Sequence, residues 1–412
     1  MHLHILFHRG DFMYQPILSK LYFSDKDLYE KEYARRWNEE NTIHIDINIG
    51  TNPAFVYPDY QMYEKVIAIT RVDTKIRMLC SELPGIALDQ FTDRCLVGEI
   101  HQSNDIEGVV STRKEISEIL QEVKVKEKPR NLRGIVSQYN MLKYNPEINI
   151  SSCQDIRNLY DRLFAYDIEM NDSADLPDGT IFRKGSVSVI SETQKEIHKG
   201  VYPESQIIAY MEQALRFLEK SNADPLIKIA VFHYLFGYIH PFYDGNGRTS
   251  RFISSALLMN ELNRLIGFRI SYTIKENLSK YYSAFKTCND PKNKGDISPF
   301  VHFFLDIILE AEENLYSALK SRQEKLEYYF ERLGKVFDEA DAKIKLLYTL
   351  LVQAALFSNH GISMSELEHY MQESANTIRG RLRKIPENLL IKNIESRTHF
   401  FELDLDELDR LT

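Results

Sequence analysis

HPFYDGNGRTSR, residues 240–251, separates two segments with helical periodicity. The first segment opens with Asp224 and Pro225, an N-cap residue followed by proline at the first helical position. Pro241 disfavours the α conformation in the residue before it, so this helix should end near His240. Helical spacing resumes after the two glycines, which therefore lie in a loop that leads into a helix N-terminus.

The two glycines of this loop, Gly245 and Gly247, predict a site for an anion. Glycines at the start of a helix let backbone N–H groups point at one place, and the positive end of the helix dipole adds to the attraction for phosphate. Arg248 and Arg251 are three residues apart on the first turn, so we expect both guanidinium groups to reach the same anion. The loop is typical of a nucleotide-binding site.

Two further side chains of the loop predict chemistry at that anion. Asp244 precedes the first glycine, where its carboxylate would hold a hard cation such as Mg²⁺ that bridges phosphate oxygens. His240 has an ordinary pKa near neutrality, which suits a general base. On its own His240 would be read as an ordinary structural histidine, and only the combination with its neighbours favours catalysis.

The twelve residues also resemble the signature of the Fic family, His-Pro-Phe-x-Asp-Gly-Asn-Gly-Arg-x-x-Arg, with every specified position present. The resemblance implies an all-α bundle and AMPylation, the transfer of AMP from ATP to a tyrosine, threonine or serine hydroxyl of a target protein. It assigns catalysis to His240 and the metal to Asp244. The nucleotide-binding residues that it implies are Gly245, Asn246, Gly247, Arg248 and Arg251. The alternative is a glycine loop that merely connects two core helices.

An upstream helix, Asp89 to Gly108, ends in a second motif. With Gly108 as the C′ residue, Glu107 lies in the last turn and Ser103 lies one turn earlier on the same face. A carboxylate at a helix C-terminus is unfavourable by roughly 0.3–1 kcal/mol unless a cation compensates, so a cation is expected opposite. The segment resembles the Fic inhibitory motif Ser/Thr-x-x-x-Glu-Gly/Asn, which implies that Glu107 pairs with Arg251 and denies the γ-phosphate of ATP its clamp. The alternative is a solvated surface glutamate.

Helical periodicity fails between residues 171 and 200, and residues 181–190 alternate like a short β-hairpin. In Fic proteins a hairpin called the flap has this position and holds the target segment by main-chain pairing. The resemblance therefore assigns target binding to Gly185, Ser186, Val187, Ser188, Val189 and Ile190. Strand addition reads backbone more than side chains, which leaves the identity of the target open. The alternative is a plain surface loop.

A helix that follows the signature carries a tyrosine pair and continues to Asn289. Such a pair on a helix is usually part of the packing. Here its position resembles the nucleoside pocket of the Fic family, where aromatic and asparagine side chains enclose the adenosine. The residues that the resemblance implies for this pocket are Tyr281, Tyr282 and Asn289.

Composition places the chain among ordinary globular proteins, with 43% hydrophobic and 27% charged residues. A net charge of −9 gives no general affinity for nucleic acid or anionic membranes. Four scattered cysteines without a C-x-x-C pair favour reduced thiols and a cytoplasmic location. No apolar run approaches the roughly 20 residues that span a bilayer, so no membrane association is expected.

The 412 residues divide into five predicted regions. They are an irregular extension (1–60) with a short strand at 43–49, a helical region with the inhibitory motif (61–125), the Fic core (126–300), a linking helix (301–338) and a winged-helix-like domain (339–412). The apolar start lacks a signal-peptide cleavage site, and we expect a translation-start extension with Met13 as the working start. Residues 124–128 read as a charged linker, followed by a helix from Pro129 to about Tyr144. The linking helix is also a candidate for homodimerisation.

The order of elements predicted in residues 339–412, helix, helix-turn-helix and hairpin, is typical of a winged helix. Its second helix carries the basic residues of a recognition helix, Arg379, Arg381, Arg383 and Lys384. The tail 404–409 is acidic, which opposes DNA binding, and winged helices often bind proteins instead. DNA and protein thus both stay open as partners of this domain.

Two other functions are consistent with the same residues. Glu107 positioning a water molecule would make the chain a deAMPylase or a bifunctional enzyme. A Fic core that senses nucleotide beside a DNA-binding winged helix would make it a transcriptional regulator. Transfer of phosphate or phosphocholine, which occurs in relatives, is disfavoured by the complete signature.

Overall fold

Helices form most of the protein, and the computed structural model describes residues 16–125, 131–171, 173–190, 196–336, 341–395 and 398–410. Within them the α-helices are α1 (Leu18–Ser24), α2 (Lys26–Asn38), α3 (Tyr60–Glu82), α4 (Gly85–Ile106), α5 (Arg113–Val125), α6 (Arg133–Tyr144), α7 (Cys153–Tyr160), α8 (Tyr166–Asn171), α9 (Glu204–Lys220), α10 (Pro225–Ile239), α11 (Asn246–Glu261), α12 (Ile270–Glu276), α13 (Leu278–Asn289), α14 (Ser298–Val336), α15 (Ala342–Phe357), α16 (Met364–Met371), α17 (Ala375–Leu382) and α18 (Leu405–Arg410). The strands are β1 (Ile43–Ile49), β2 (Asn52–Val56), β3 (Ser188–Ile190), β4 (Glu196–Lys199), β5 (Ile362–Ser363), β6 (Leu390–Glu395) and β7 (Thr398–Leu403). The prediction of an all-α fold is confirmed.

The N-terminal extension is more ordered than we predicted. Residues 18–38 form α1 and α2, and the predicted strand pairs with β2 as an antiparallel hairpin. Arg36 anchors the extension to the core, because its guanidinium lies 2.9 Å from the buried carboxylate of Asp296. The prediction of an irregular segment was wrong because α2 is rich in charged residues and has no clear apolar stripe. The proposed start at Met13 lies outside the described residues.

The centre of the bundle is α10, which is apolar on all sides and almost entirely buried. It begins as predicted, with the carboxylate of Asp224 accepting a hydrogen bond from the Leu226 N–H at 2.8 Å. Helices α9, α11 and α14 pack around it. The 39-residue α14 also packs along α3. Of the predicted linker and the helix after it, residues 126–130, including Pro129, lie outside the described residues.

Helix α4 connects the two ends of the molecule. It packs against α12 in the bundle and against α15 in the C-terminal module, where the rings of Phe91 and Phe357 meet edge to face at 6.4 Å. Its last residue is Ile106, so the following residue is the C-cap and Gly108 takes the left-handed conformation, with φ of 71°. Gly108 therefore ends the helix as expected of a C′ glycine.

The flap differs from the predicted hairpin. Residues 188–190 do pair antiparallel, but their partner is 196–199, and the first half of the predicted hairpin is a loop. The loop bonds to the signature segment instead, with the Arg183 N–H donating to the Pro241 carbonyl and the Gly185 N–H donating to the Tyr243 hydroxyl. Residues 191–195 lie outside the described part of the chain.

The C-terminal module contains the predicted helices and a three-stranded antiparallel sheet in the order β5-β7-β6. The acidic tail forms the short helix α18, and the carboxylate of Asp409 accepts hydrogen bonds from Tyr328 and Tyr329 of α14. Residues 337–340, at the predicted domain boundary, and 396–397, in the predicted turn, lie outside the description. None of the described helices is long and apolar enough to cross a membrane.

Candidate active site

The signature loop begins with a residue in an uncommon conformation. His240 is the C-cap of α10 and has φ of 53°, in the left-handed region that residues other than glycine rarely adopt. Its backbone N–H still bonds to the carbonyl of Phe236 at 2.9 Å. Two residues later Phe242 is fully buried and stacks on Tyr160 at 3.7 Å between ring centroids. Helix end and aromatic anchor together fix where the histidine lies.

Gly245 is the N-cap of α11 and also has a left-handed φ, of 79°. A Cβ here would lie 3.2 and 3.3 Å from the rings of Tyr160 and Phe164, so both conformation and space favour glycine. Phe164 belongs to a single π-helical stretch, Asp161–Ala165, which interrupts the run from α7 to α8. Nothing in the sequence analysis pointed to these two aromatic residues.

The surroundings of Gly247 show which side chains lie over the N-terminus of α11. A Cβ on this residue would collide with the carboxylate Oε1 of Glu107 and would lie 2.9 Å from Nη1 of Arg251. The carboxylate therefore occupies the space where the loop would bind an anion.

Arg251 holds that carboxylate. Its side chain is 1% exposed, and Nη2 lies 2.8 Å from Oε1 of Glu107. Nε donates to the hydroxyl of Ser103 at 3.1 Å, and Nη2 donates to the Ser103 carbonyl at 2.9 Å. Burial alone would lower the pKa of Arg251, but the pairing with Glu107 raises it overall, so the guanidinium stays charged. The structure thus brings Ser103, Glu107 and Arg251 together.

Arg248 has different partners. Its Nη2 lies 2.8 Å from the carboxylate of Asp244, and its guanidinium stacks over the ring of Phe164 at 4.5 Å. The side chain is 4% exposed, and among the described residues its Nε has no hydrogen-bond partner. The two arginines therefore do not converge on one protein group, although we expected them to reach a common anion.

Asp244 lies at the edge of open space. One oxygen accepts the Gly245 N–H at 2.6 Å, and the side chain is 46% exposed. In the described residues no group of three or more histidine, cysteine, aspartate or glutamate side chains forms a metal site. Mg²⁺ commonly takes one carboxylate and completes its shell with water and substrate phosphates. The site fits such an ion, with the carboxylate of Asp244 as its protein ligand.

A cavity of about 390 Å³ opens beside Asp244 and Arg248. Its remaining walls are Val109, Val110, Glu115, Asn131, Leu132, Asp167, Ile168 and Asp175. The volume lies within the range of small-molecule sites, roughly 300–1,000 Å³. Val109 and Val110 follow Gly108 directly, so the chain just after the Ser103–Gly108 motif forms part of this cavity wall.

Asn246 supports the loop instead of facing the anion. Its side chain is buried, with Oδ1 accepting the Phe242 N–H at 2.9 Å and Nδ2 donating to the Phe242 carbonyl at 2.8 Å. The role of this residue at a bound phosphate stays a prediction. Both ends of the amide are already used, so only the backbone N–H faces the helix start.

Two residues of the implied nucleoside pocket also bond within the protein. Tyr281 is buried in the core, where its hydroxyl lies 2.9 Å from Nε2 of the buried His233. Asn289 accepts a hydrogen bond from the hydroxyl of Tyr234 at 2.7 Å. Packing of α13 against α14 buries Tyr281, and its role in an adenosine pocket stays a prediction. Tyr282 is half-buried on the same helix.

His240 is half-buried, and burial together with the neighbouring Arg183 lowers its pKa to about 3. The imidazole is therefore neutral at physiological pH, the form that accepts a proton.

Arg183 and Tyr243, which the sequence analysis did not single out, contact the flap. Gly185 donates its N–H to the Tyr243 hydroxyl at 2.8 Å. The Gly200 N–H, in the chain before α9, donates to the Val187 carbonyl at 3.0 Å. This bond holds the hairpin to that part of the chain.

Comparison with known proteins agrees with this geometry. Residues 150–258 match the family model of the Fic/DOC family. Protein adenylyltransferase Fic is 42% identical over 95 residues in Drosophila ananassae and 44% identical over 86 residues in Drosophila willistoni. These stretches cover 23% and 21% of this chain but 17% and 16% of the relatives, so the match spans less than a fifth of their length. The similarity to the Fic/DOC family thus lies in residues 150–258 of this chain.

Two solved structures are also similar. The crystal structure of a Fic family protein from Desulfovibrio desulfuricans G20 has a TM-score of 0.49 and 20% identity, covering 82% of this chain and 95% of that one. A Fic domain containing signaling protein from Bacteroides thetaiotaomicron has a TM-score of 0.44 and 18% identity, covering 62% and 97%.

Proposed function

We propose that the chain is a protein adenylyltransferase, which transfers AMP from ATP to a tyrosine, threonine or serine hydroxyl of a target protein. Two relatives that carry this name are 42% and 44% identical to the chain over 95 and 86 residues. The glycine loop, the start of α11 and two arginines supply donors for phosphate oxygens. A neutral His240 supplies the base.

The reaction follows from these roles. The triphosphate lies at the N-terminus of α11, with Arg248 and Arg251 on its oxygens. His240 takes the proton of the target hydroxyl, whose oxygen forms a bond to the α-phosphorus while the bond to the pyrophosphate oxygen breaks. Backbone N–H groups stabilise the charge that develops on the phosphorus oxygens. When bound at Asp244, Mg²⁺ would neutralise part of the phosphate charge.

We further propose that the chain is autoinhibited. The observation that carries this proposal is the carboxylate of Glu107, which fills the space over Gly247 and uses the guanidinium of Arg251. A γ-phosphate needs the same space and the same cation. Glu107 is 28% exposed and is followed by Gly108 in a left-handed turn, so its side chain can rotate away while α4 stays in place.

Transfer of label from ATP labelled at the α-phosphate tests both proposals. Wild type, Glu107→Gly, and Glu107→Gly with His240→Ala are compared for self-modification and for labelling of a host lysate. We expect strong labelling only in Glu107→Gly. Absence of label in every variant, with the proteins folded and ATP bound, contradicts the transferase. Incubation of a pre-labelled target with wild type then distinguishes addition of AMP from its removal.

A second candidate function concerns the C-terminal module, which we propose to be a winged helix that contacts DNA. Arg379, Arg383 and Lys384 are exposed on and just after α17, whereas Arg381 is held by Glu373 and Asp341. Binding to random duplex DNA should weaken steeply with salt if this face is used. Binding that is absent at low salt leaves a protein partner as the candidate.

A further inference from the structure

Arg183 lies at the base of the flap and is fully buried. Its guanidinium donates to three backbone carbonyls, with Nε 2.9 Å from His240 O, Nη2 2.8 Å from Val201 O and Nη1 close to Gly185 O. Its own N–H donates to the Pro241 carbonyl at 3.2 Å. In the part of the chain that the structure describes, no carboxylate lies within ion-pair distance of it.

A buried cation without a counter-ion is unfavourable unless its nitrogens find hydrogen-bond acceptors, and each nitrogen of Arg183 has one. Burial lowers the pKa of Arg183, which is the expected sign of this desolvation. An apolar side chain of similar size would avoid the desolvation, so packing alone does not account for arginine here. The hydrogen bonds do account for it, because they join three separate segments at one group.

Those segments are the base of the flap, the turn after α10 and the junction between β4 and α9. Gly200 allows them to approach. A Cβ on Gly200 would lie 2.5 Å from Nη2 of Arg183 and 3.1 Å from the Cβ of His240. The guanidinium and the imidazole are therefore packed against the same glycine.

A second brace lies on the other side of the flap. The hydroxyl of Tyr243, inside the signature loop, donates to Asp178 at 2.9 Å and accepts the Gly185 N–H. Asp178 also accepts the N–H of Lys184 at 2.8 Å. Residues 183–185 are thus held from both sides, and of these three it is Arg183 that bonds to the backbone of His240.

We propose that Arg183 is a positioning residue for the transfer reaction, whose guanidinium fixes the target-binding flap relative to His240. This rests on the proposed function, since that function gives the flap and the histidine their roles. Without the guanidinium, the target hydroxyl no longer meets the imidazole at reacting distance. A misplacement of about 1 Å can lower a rate roughly a hundredfold.

The same cation acts on the base electrostatically. Besides burial, Arg183 and His198 of β4 lower the pKa of His240, while Asp244 raises it. Loss of the positive charge at position 183 should therefore raise the pKa of His240. Arg183→Lys keeps the charge and therefore separates this effect from a change in the burial of the imidazole.

The kinetic test uses Glu107→Gly as the active parent. Arg183→Gln removes the charge, and Arg183→Lys keeps it without the planar fork. The control is Arg157→Gln, because Arg157 donates to the Ile181 carbonyl of the same segment at 2.8 Å but does not reach the signature loop. We expect Arg183→Gln to lower kcat/KM for the target about a hundredfold with KM for ATP nearly unchanged, Arg183→Lys to fall between, and Arg157→Gln to change little. A folded Arg183→Gln with the parent's kcat/KM overturns the proposal.

A second test needs no activity. NMR titration of the His240 imidazole should give a higher pKa in Arg183→Gln than in Arg183→Lys, and exchange of the Gly200 amide should be about tenfold faster in Arg183→Gln. If Glu107→Gly itself transfers no label, the proposed function fails. The NMR test still shows whether Arg183 holds the flap against His240. An unchanged titration and unchanged exchange overturn that role. If Arg183→Gln does not fold, Arg183→Lys alone must show faster exchange than the control.

Discussion

The two arginines of the signature lie on one turn of one helix, and the candidate anion site has a different side at each of them. On the first side Arg251 is 1% exposed and is held by Ser103 and Glu107 of α4. On the second side Arg248 pairs with Asp244 of its own loop, next to a cavity of about 390 Å³. The first side is filled by a carboxylate from a distant helix, whereas the second is open. The candidate site thus combines an arginine that a distant carboxylate holds with one that is buried but borders a cavity.

The difference comes from where each carboxylate is attached. Asp244 is four residues from Arg248, so their pairing needs only the local turn. Glu107 reaches Arg251 only because α4 is packed into the bundle, with the buried Glu99 bonded to the N–H of Ser271 at the start of α12. A ligand can compete with either pair, but on the first side it must displace a group that the whole bundle positions.

Glu107→Gln should have the largest effect on ATP affinity, because it removes the negative charge that blocks the first side of the site. It deletes the charge while keeping the size, so the guanidinium of Arg251 becomes available to phosphate. Charged hydrogen bonds contribute about 1.5–3 kcal/mol, and we expect ATP to bind about a hundredfold more tightly by calorimetry. The control is Asp105→Asn, a neighbour on the same turn that pairs with Lys275 at 2.7 Å. Equal affinities in wild type and Glu107→Gln would contradict the blocking role.

Glu99→Gln probes the packing behind the first side. Burial raises the pKa of Glu99 from 4.5 to about 7, so the folded protein holds a proton that the unfolded chain releases. Stability of the wild type therefore falls as pH rises from about 5 to 8, and Glu99→Gln should reduce this fall by about 2 kcal/mol. Urea unfolding at pH 5 and pH 8 measures it. Glu312, with a pKa raised to about 8, titrates in both proteins and cancels. An identical pH dependence would contradict the prediction.

Asp244→Asn tests the open side. In the Glu107→Gly background we expect the affinity for ATP with Mg²⁺ to fall about tenfold and to become insensitive to a chelator. The reason is that the carboxylate of Asp244 is the one ligand that the protein would contribute to the metal. Asp161→Asn serves as the control, since Asp161 also pairs with an arginine, Arg157, outside the site. Affinity that still responds to the chelator as in the parent would remove Asp244 from the metal site.

Tyr281→Phe should have the smallest effect on ligand binding. The lost hydroxyl bonds to the buried His233 and also interacts with Arg251. Arg251 keeps its bonds to Ser103, so ATP affinity should change less than about threefold while stability falls by about 1 kcal/mol. Calorimetry and thermal unfolding measure the two quantities. A tenfold loss of ATP affinity without loss of stability would support the nucleoside-pocket interpretation.

The segments that were predicted correctly have strong local signals. Asp224-Pro225 starts α10, Gly108 ends α4 and Gly245 opens α11 because caps and left-handed glycines depend on the chain within a few residues. The roles assigned to Asn246 and Tyr281 came from their positions in a motif. Both side chains turned out to be used by the protein itself, which depends on neighbours that a motif does not specify.

The sequence by itself determined the ends of the helices, the glycine loop and the residue types around the anion, since each depends on local backbone preference. Tertiary structure decided which of those groups are already occupied. It placed the carboxylate of Glu107 over Gly247 and turned Asn246 inward. It also directed Arg183 to three carbonyls. Because every residue carries a carbonyl, no sequence pattern marks the three that this arginine contacts, and only the packing of the flap against α10 selects them.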